Sequence, residues 1–92
     1  MRVTIEDGEP SSVTLKIEGR VVGAMVPELD KAWKQLSTSL GTRKLAVDLR
    51  GVTYVDSTGE RVLSRIHHET GAEFLADTPM TKYLASKAKR GG

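Results

Sequence analysis

Leu45-Ala46-Val47-Asp48-Leu49-Arg50-Gly51-Val52-Thr53-Tyr54-Val55-Asp56-Ser57-Thr58-Gly59-Glu60 is the stretch on which the fold turns. Residues 45–49 are short and mostly apolar, and their apolar positions do not strictly alternate. That pattern predicts a central strand covered on both faces. Arg50-Gly51 is expected to turn the chain, and Val52-Thr53-Tyr54-Val55 to continue in extended form. At Asp56-Ser57-Thr58-Gly59-Glu60 the periodicity changes. Val62, Leu63 and Ile66 then fall on the buried side of a helix, which Gly71 ends.

Towards the N-terminus, Val3 and Ile5 alternate with Arg2, Thr4 and Glu6, which predicts a short half-buried strand. Asp7-Gly8 and Glu9-Pro10-Ser11-Ser12 are turn chemistry. Val13, Leu15 and Ile17 then alternate with Thr14, Lys16 and Glu18, the period-2 signature of a second strand. The two are expected to pair as an antiparallel hairpin. Gly19-Arg20-Val21-Val22-Gly23 breaks the pattern. Beyond it Val26, Leu29, Trp33, Leu36 and Leu40 recur at steps of three and four, one face of an α-helix. Pro27 suits its first turn and Gly41 its C-terminal end. Trp33 lies within the apolar stripe and is assigned to the core.

Towards the C-terminus, Ala72-Glu73-Phe74-Leu75-Ala76 predicts a further strand. Thr78-Pro79 is an N-cap followed by proline at the first helical position. Met80, Tyr83 and Leu84 are expected to form the inner face of this last helix, and Gly91-Gly92 to fray. The order is β-β-α-β-α-β-α. Past the hairpin, strands and helices alternate, so parallel strands joined by right-handed crossovers follow. The fold class is α/β: a mixed, mostly parallel sheet with its helices packed mainly on one face. Residues 1–92 are expected to be a single domain without repeat or linker.

Composition narrows the function. Hydrophobic residues make up 38% and charged residues 28%, with a formal net charge of +2. This is a globular composition, and its charge is too small to argue for nucleic acid or an anionic membrane. Lys82, Lys87, Lys89 and Arg90 concentrate the basic excess at the negative end of the last helix. There is no cysteine, which excludes disulfides, thiol catalysis and thiolate-held zinc. No apolar run approaches a membrane span and no signal-peptide core is present, so the expected location is the cytoplasm. His67-His68-Glu69 does not predict a metal site, because adjacent helical residues point about 100° apart. Both histidines are expected to face solvent. No nucleophile–base–acid set and no glycine-rich phosphate loop is visible. No catalytic residue, metal or cofactor is therefore assigned.

Asp56-Ser57-Thr58-Gly59, placed after the strand Val47-Asp48-Leu49-Arg50-Gly51-Val52 in a β-β-α-β-α-β-α chain, resembles the STAS domain family. The likeness runs from Val13 to about Leu84 and includes Leu15-Lys16-Ile17-Glu18-Gly19 and residues 71–76. The resemblance implies an anti-sigma factor antagonist. In that group the serine directly after the motif aspartate is phosphorylated by a partner kinase, itself the anti-sigma factor; here that position is Ser57, with Thr58 as second candidate. It also implies a partner-binding surface of Asp56, Ser57, Thr58, Gly59, Glu60 and Arg61, and action by protein binding rather than catalysis.

The same residues have structural uses. Ser57-Thr58-Gly59-Glu60 is an S-x-x-E capping box, in which the Ser57 hydroxyl accepts from the Glu60 amide and the Glu60 carboxylate reaches back. Asp56 suits either orienting the Ser57 hydroxyl, assisting a kinase-bound Mg²⁺, or bonding loop amides. Gly59 suits close approach of either backbone or partner. Two stretches depart from the family pattern. Gly59-Glu60-Arg61 stands where family members often continue with small or apolar residues, and Gly23-Ala24-Met25-Val26-Pro27 replaces a commonly Asp-rich loop. Two charges at the contact rim imply a specialised partner, or a second role: an unphosphorylated adaptor subunit docked on the ATPase of a lipid-transport ABC assembly.

Overall fold

A computed structural model describes residues 1–91. Arg2–Glu6 (β1) and Ser12–Val21 (β2) form the hairpin, with Val3 opposite Ile17 and Ile5 opposite Leu15. A 3-10 turn, Gly23–Met25, leads into α1, Val26–Ser39. Strand β3 is Lys44–Val55, followed by α2 (Ser57–Thr70), β4 (Glu73–Leu75) and α3 (Pro79–Lys89). The sheet order is β1-β2-β3-β4; the first pair is antiparallel and the other two are parallel. This is the mixed, mostly parallel α/β sheet that the alternation of strand and helix predicts.

One face of the sheet holds the core. Val13, Leu15 and Ile17 are fully buried, Leu45 and Val47 sit beside them on β3, and Phe74 of β4 lies opposite Val47. Leu29 and Trp33 of α1, Val62 and Ile66 of α2, and Leu84 and Ala88 of α3 close the same cluster. All three helices therefore cover this face. The central strand is not covered by helices on both sides, as its apolar run suggested. Its buried Asp48 lies on the other face, opposite Lys16 and Leu75.

Arg50-Gly51 does not turn the chain. β3 is one continuous strand with a bulge. Lys16 pairs with Asp48 and Glu18 with Gly51, so Ile17 alone opposes both Leu49 and Arg50. The Asp48 carboxylate holds the bulge: it accepts from the Arg50 amide and from the Arg50 guanidinium, each at 3.0 Å. The hydrogen-bonded Arg50 guanidinium also keeps the Asp48 carboxyl below its ordinary pKa, against the opposing effect of burial. Gly51 eases crowding rather than making a turn: a Cβ there would lie 2.9 Å from Glu18 Cγ, and that side chain would have to shift. The extra residues let Val52 re-enter the core and carry Val55 to the end of β2, opposite Val21.

The C-terminal ends of α1 and α2 and the cap of α3 follow their sequence chemistry, with one exception in facing on α3. Gly41 and Gly71 adopt positive φ just past α1 and α2 (+63° and +69°), where a side chain would be strained. Trp33 is buried and donates from Nε1 to Asp30 Oδ1 at 2.8 Å. Thr78 caps α3 reciprocally with Thr81, whose buried hydroxyl is satisfied within the cap. That cap sets the phase of α3 and turns Thr81, Leu84, Ala85 and Ala88 inward. Met80 is half-buried, and Tyr83, expected inside, is 52% exposed. Arg90 caps α3, and the Gly91 amide donates to Ala88 at 3.2 Å. Gly92, expected to fray, lies outside the described residues.

Ile5 and Leu15 are cross-strand partners of the same alternating pattern, but Ile5 is 48% exposed and Leu15 fully buried. Leu15→Ala should cost about 2–5 kcal/mol in urea unfolding, whereas Ile5→Ala should stay within about 1 kcal/mol of wild type. Equal losses would place the core wrongly on the sheet.

Candidate functional site

β2 and β3 end side by side, and the candidate site is built where they stop. The Asp56 amide donates to the Val21 carbonyl at 3.1 Å, joining the end of one parallel strand to the exit of the other. Asp56 then stays extended (ψ 179°) while Ser57 enters the helix, so Asp56 is the N-cap of α2. Its carboxylate spans two elements. Oδ1 accepts from the Gly59 amide at 2.8 Å and Oδ2 from the Gly23 amide at 2.8 Å. Its backbone carbonyl accepts the first helical bond, from Glu60, at 2.9 Å.

The Ser57 capping box is therefore not formed. Ser57 occupies the first helical position, one residue too late for its hydroxyl to reach the Glu60 amide, and that amide is taken by Asp56. The Glu60 carboxylate does not reach back either; it meets Lys87 of α3 at 3.3 Å. Aspartate prevails over serine because only Asp56 has a second donor within reach, the Gly23 amide from the turn after β2. Of the three roles open to Asp56, the bonding of loop amides is the one its geometry fills.

Gly59 is required by the fold itself. An added Cβ would lie 2.7 Å from Val55 Cγ1 and 2.8 Å from the Val21 carbonyl oxygen. The first turn of α2 thus presses directly on the ends of β2 and β3. With the turn held by Asp56 and Gly59, Ser57 and Thr58 are left exposed, with no side-chain hydrogen bond among the described residues. Arg61 is exposed, and Glu60, tied to Lys87, is half-buried.

The six candidate residues, Asp56 to Arg61, are contiguous, yet they divide by role. Asp56 and Gly59 face inward, Glu60 faces α3, and Ser57, Thr58 and Arg61 face solvent. Sequence reasoning did not anticipate Gly23 and Val21 as partners of the turn; the break at Gly19–Gly23 was the only local sign of them. Nor did it connect Lys87 to Glu60, which needs the packing of α3 on α2. Beside the turn, Tyr54 is 49% exposed with the Arg20 guanidinium 5.5 Å from its ring centre, and Met25 is 36% exposed.

Electrostatics follow from these contacts. The Gly59 amide first, and the Gly23 amide second, hold the Asp56 carboxyl below its ordinary pKa. The Glu60 hydrogen bond raises Lys87 above its ordinary value. His67 does not face solvent freely: it is half-buried, its Nδ1 lies 2.8 Å from the Ala72 carbonyl, and its ring is 6.0 Å from that of Phe74. Only His68 is exposed. Among the described residues no group of three or more metal-ligating side chains forms, and no helix is long and apolar enough to cross a membrane.

The STAS domain family model matches residues 3–74. Solved structures that share the fold include three antagonists of anti-sigma factors. An anti-sigma factor antagonist from Mycobacterium paratuberculosis is 22% identical, with a TM-score of 0.77 over 89% of this chain and 72% of that one. The anti-sigma factor antagonist SpoIIAA in its unphosphorylated form is 11% identical, with a TM-score of 0.64 over 92% of this chain and 82% of that one. The STAS domain of an antisigma-factor antagonist from Rhodobacter sphaeroides is 17% identical, with a TM-score of 0.62 over 95% and 92%. No curated protein sequence matches significantly.

The cap assignment makes opposite demands on neighbouring residues. Ser57→Ala should leave the thermal midpoint unchanged, within about 0.5 kcal/mol, while Asp56→Ala lowers it. Because the folded Asp56 pKa is depressed, its stabilisation is present above the ordinary carboxylate range and is lost as pH falls through the folded value. The gap between wild type and Asp56→Ala should therefore be full at neutral pH and shrink towards pH 3. A larger loss for Ser57→Ala would restore serine as the cap. Gly59→Ala should cost about 1–3 kcal/mol by overpacking, read as a drop in the urea midpoint.

Proposed function

The chain belongs to the STAS domain family, and on that premise we propose that it is an anti-sigma factor antagonist, one domain over residues 1–92, that binds an anti-sigma factor kinase and is switched by phosphorylation at Ser57. The observation that carries this proposal is the freedom of the Ser57 hydroxyl. It is exposed at the first turn of α2 while Asp56 and Gly59 hold that turn without it. A residue in this position can be modified without dismantling its own support. The likeness to SpoIIAA, described in its unphosphorylated form, supports the same assignment.

The chemistry is a phosphoryl transfer. The Ser57 oxygen attacks the terminal phosphorus of a nucleoside triphosphate held by the kinase. The bond from that phosphorus to the nucleoside diphosphate breaks, a serine O–P bond forms, and the hydroxyl proton leaves to a base on the kinase. Asp56 does not serve as that base while both its oxygens accept from amides. The partner supplies the catalysis and this domain the substrate oxygen. A phosphate adds about −1.5 to −2 charges. The N-terminal end of α2 tolerates negative charge, so the fold survives. A partner surface shaped to a neutral hydroxyl loses complementarity. The exposed Ser57, Thr58 and Arg61 make up the surface on which that partner docks.

The test is capture of partners from native-host lysate by wild type, Ser57→Ala and Ser57→Asp, identified by mass spectrometry. An ATP-binding anti-sigma kinase recovered by wild type and Ser57→Ala, and lost with Ser57→Asp, is the expected result. A transporter ATPase recovered equally by all three baits would overturn the switch and leave an adaptor.

A further inference from the structure

The outer face of α2 borders a cleft of about 740 Å³, which Ser57, Glu60, Arg61 and Ser64 enter from α2 and Lys87 from α3. Ser57 and Arg61 are four residues apart on one helix, so their Cβ atoms are neighbours, about 5–6 Å apart. Arg61 makes no ion pair among the described residues. The other charges of the cleft are committed or distant. Lys87 neutralises Glu60 at 3.3 Å, and Arg65 is drawn to Asp30 of α1 at 3.6 Å. His68 and Glu69 follow Ser57 by eleven and twelve residues, about 16–18 Å along the axis. Asp56 is turned away, to the amides of Gly23 and Gly59. Beside Ser57 the cleft thus keeps one uncompensated cation.

We propose that this cleft is an intramolecular receptor for the phosphoryl group carried by Ser57, with Arg61 as its main counter-charge and Lys87 as the second. The proposal rests on Ser57 being the phosphorylated residue. Arginine presents paired donors that match phosphate oxygens, and such charge-assisted bonds are the strong ones. The need arises from Glu60. Glu60 lies three residues from Ser57 on the same face, and without Arg61 a phosphate would meet its carboxylate. A phosphate of nearly two charges also competes with Glu60 for Lys87, so modification reaches α3 as well as α2. It follows that one event changes two exposed residues. The partner loses a neutral hydroxyl at Ser57 and, at the same time, the free guanidinium of Arg61, which folds back onto the phosphate.

The test needs no kinase. Phosphoserine is installed at position 57 during synthesis, and its second ionisation is followed by ³¹P NMR in the full chain, in Arg61→Gln and Lys87→Gln variants of it, and in a phosphopeptide of residues 54–62. In the full chain the second pKa should lie below the ordinary value of about 6. Arg61→Gln should raise it by about half a unit or more, as loss of a nearby opposite charge requires, and Lys87→Gln should raise it less. Circular dichroism verifies that each variant is folded. Identical titrations in wild type and Arg61→Gln, or a wild-type value no lower than the phosphopeptide's, would overturn the receptor. Failure of host kinases to label Ser57 would instead overturn the proposed modification, an outcome this titration does not depend on.

Discussion

The carboxylate of Asp56 is the constraint from which the rest of this end of the molecule follows. Two parallel strands that finish together leave two chain ends to dispose of: β2 must enter the turn before α1, and β3 must start α2. One oxygen of Asp56 holds the Gly23 amide of the first exit, and the other holds the Gly59 amide of the second. A serine cap could satisfy the helix amide but not both. Gly59 completes the arrangement, because the helix can start this close to Val21 and Val55 only if no Cβ intervenes. Asp56 and Gly59 therefore act as one device, a short tie and the gap that lets it close.

That device operates only if β3 delivers Asp56 at the level of Val21, and the bulge provides the delivery. Two register shifts between β2 and β3 change which residues oppose each other along a twelve-residue strand. Asp48 stabilises the first of them by bonding the backbone and side chain of Arg50, from the face of the sheet that carries no helix. A buried carboxylate with an adjacent arginine thus has a mechanical role, and its depressed pKa reflects that pairing. It needs no catalytic explanation.

What was legible in the sequence was whatever periodicity and local caps encode. The alternation of Val13, Leu15 and Ile17, the stripe from Val26 to Leu40, and Thr78-Pro79 each reappear in the structure where their spacing puts them. What escaped was decided by contacts distant in sequence. Arg50-Gly51 has turn composition, but its neighbour across the sheet, Glu18, makes it a bulge. Asp56 and Ser57 are both good cap residues, and local rules cannot separate them. The Gly23 amide, 33 residues away, does. Tyr83 and His67 differ for local reasons: Tyr83 does not share the inward side of α3 with Thr81, Leu84, Ala85 and Ala88, and the Ala72 carbonyl, five residues on, captures His67.

The displacement of the cap by one residue bears on the proposed switch. Had Ser57 been the cap, its hydroxyl would have been engaged by a helix amide instead of standing free at the surface. With Asp56 in that role, the support of the turn and the free Ser57 hydroxyl occupy adjacent residues with opposite orientations. Asp56 and Gly59 face the strands, where substitution costs stability; Ser57, Thr58 and Arg61 face solvent, where it does not. A surface separated in this way is free to vary, while the turn beneath it stays under the separate constraints of packing and capping.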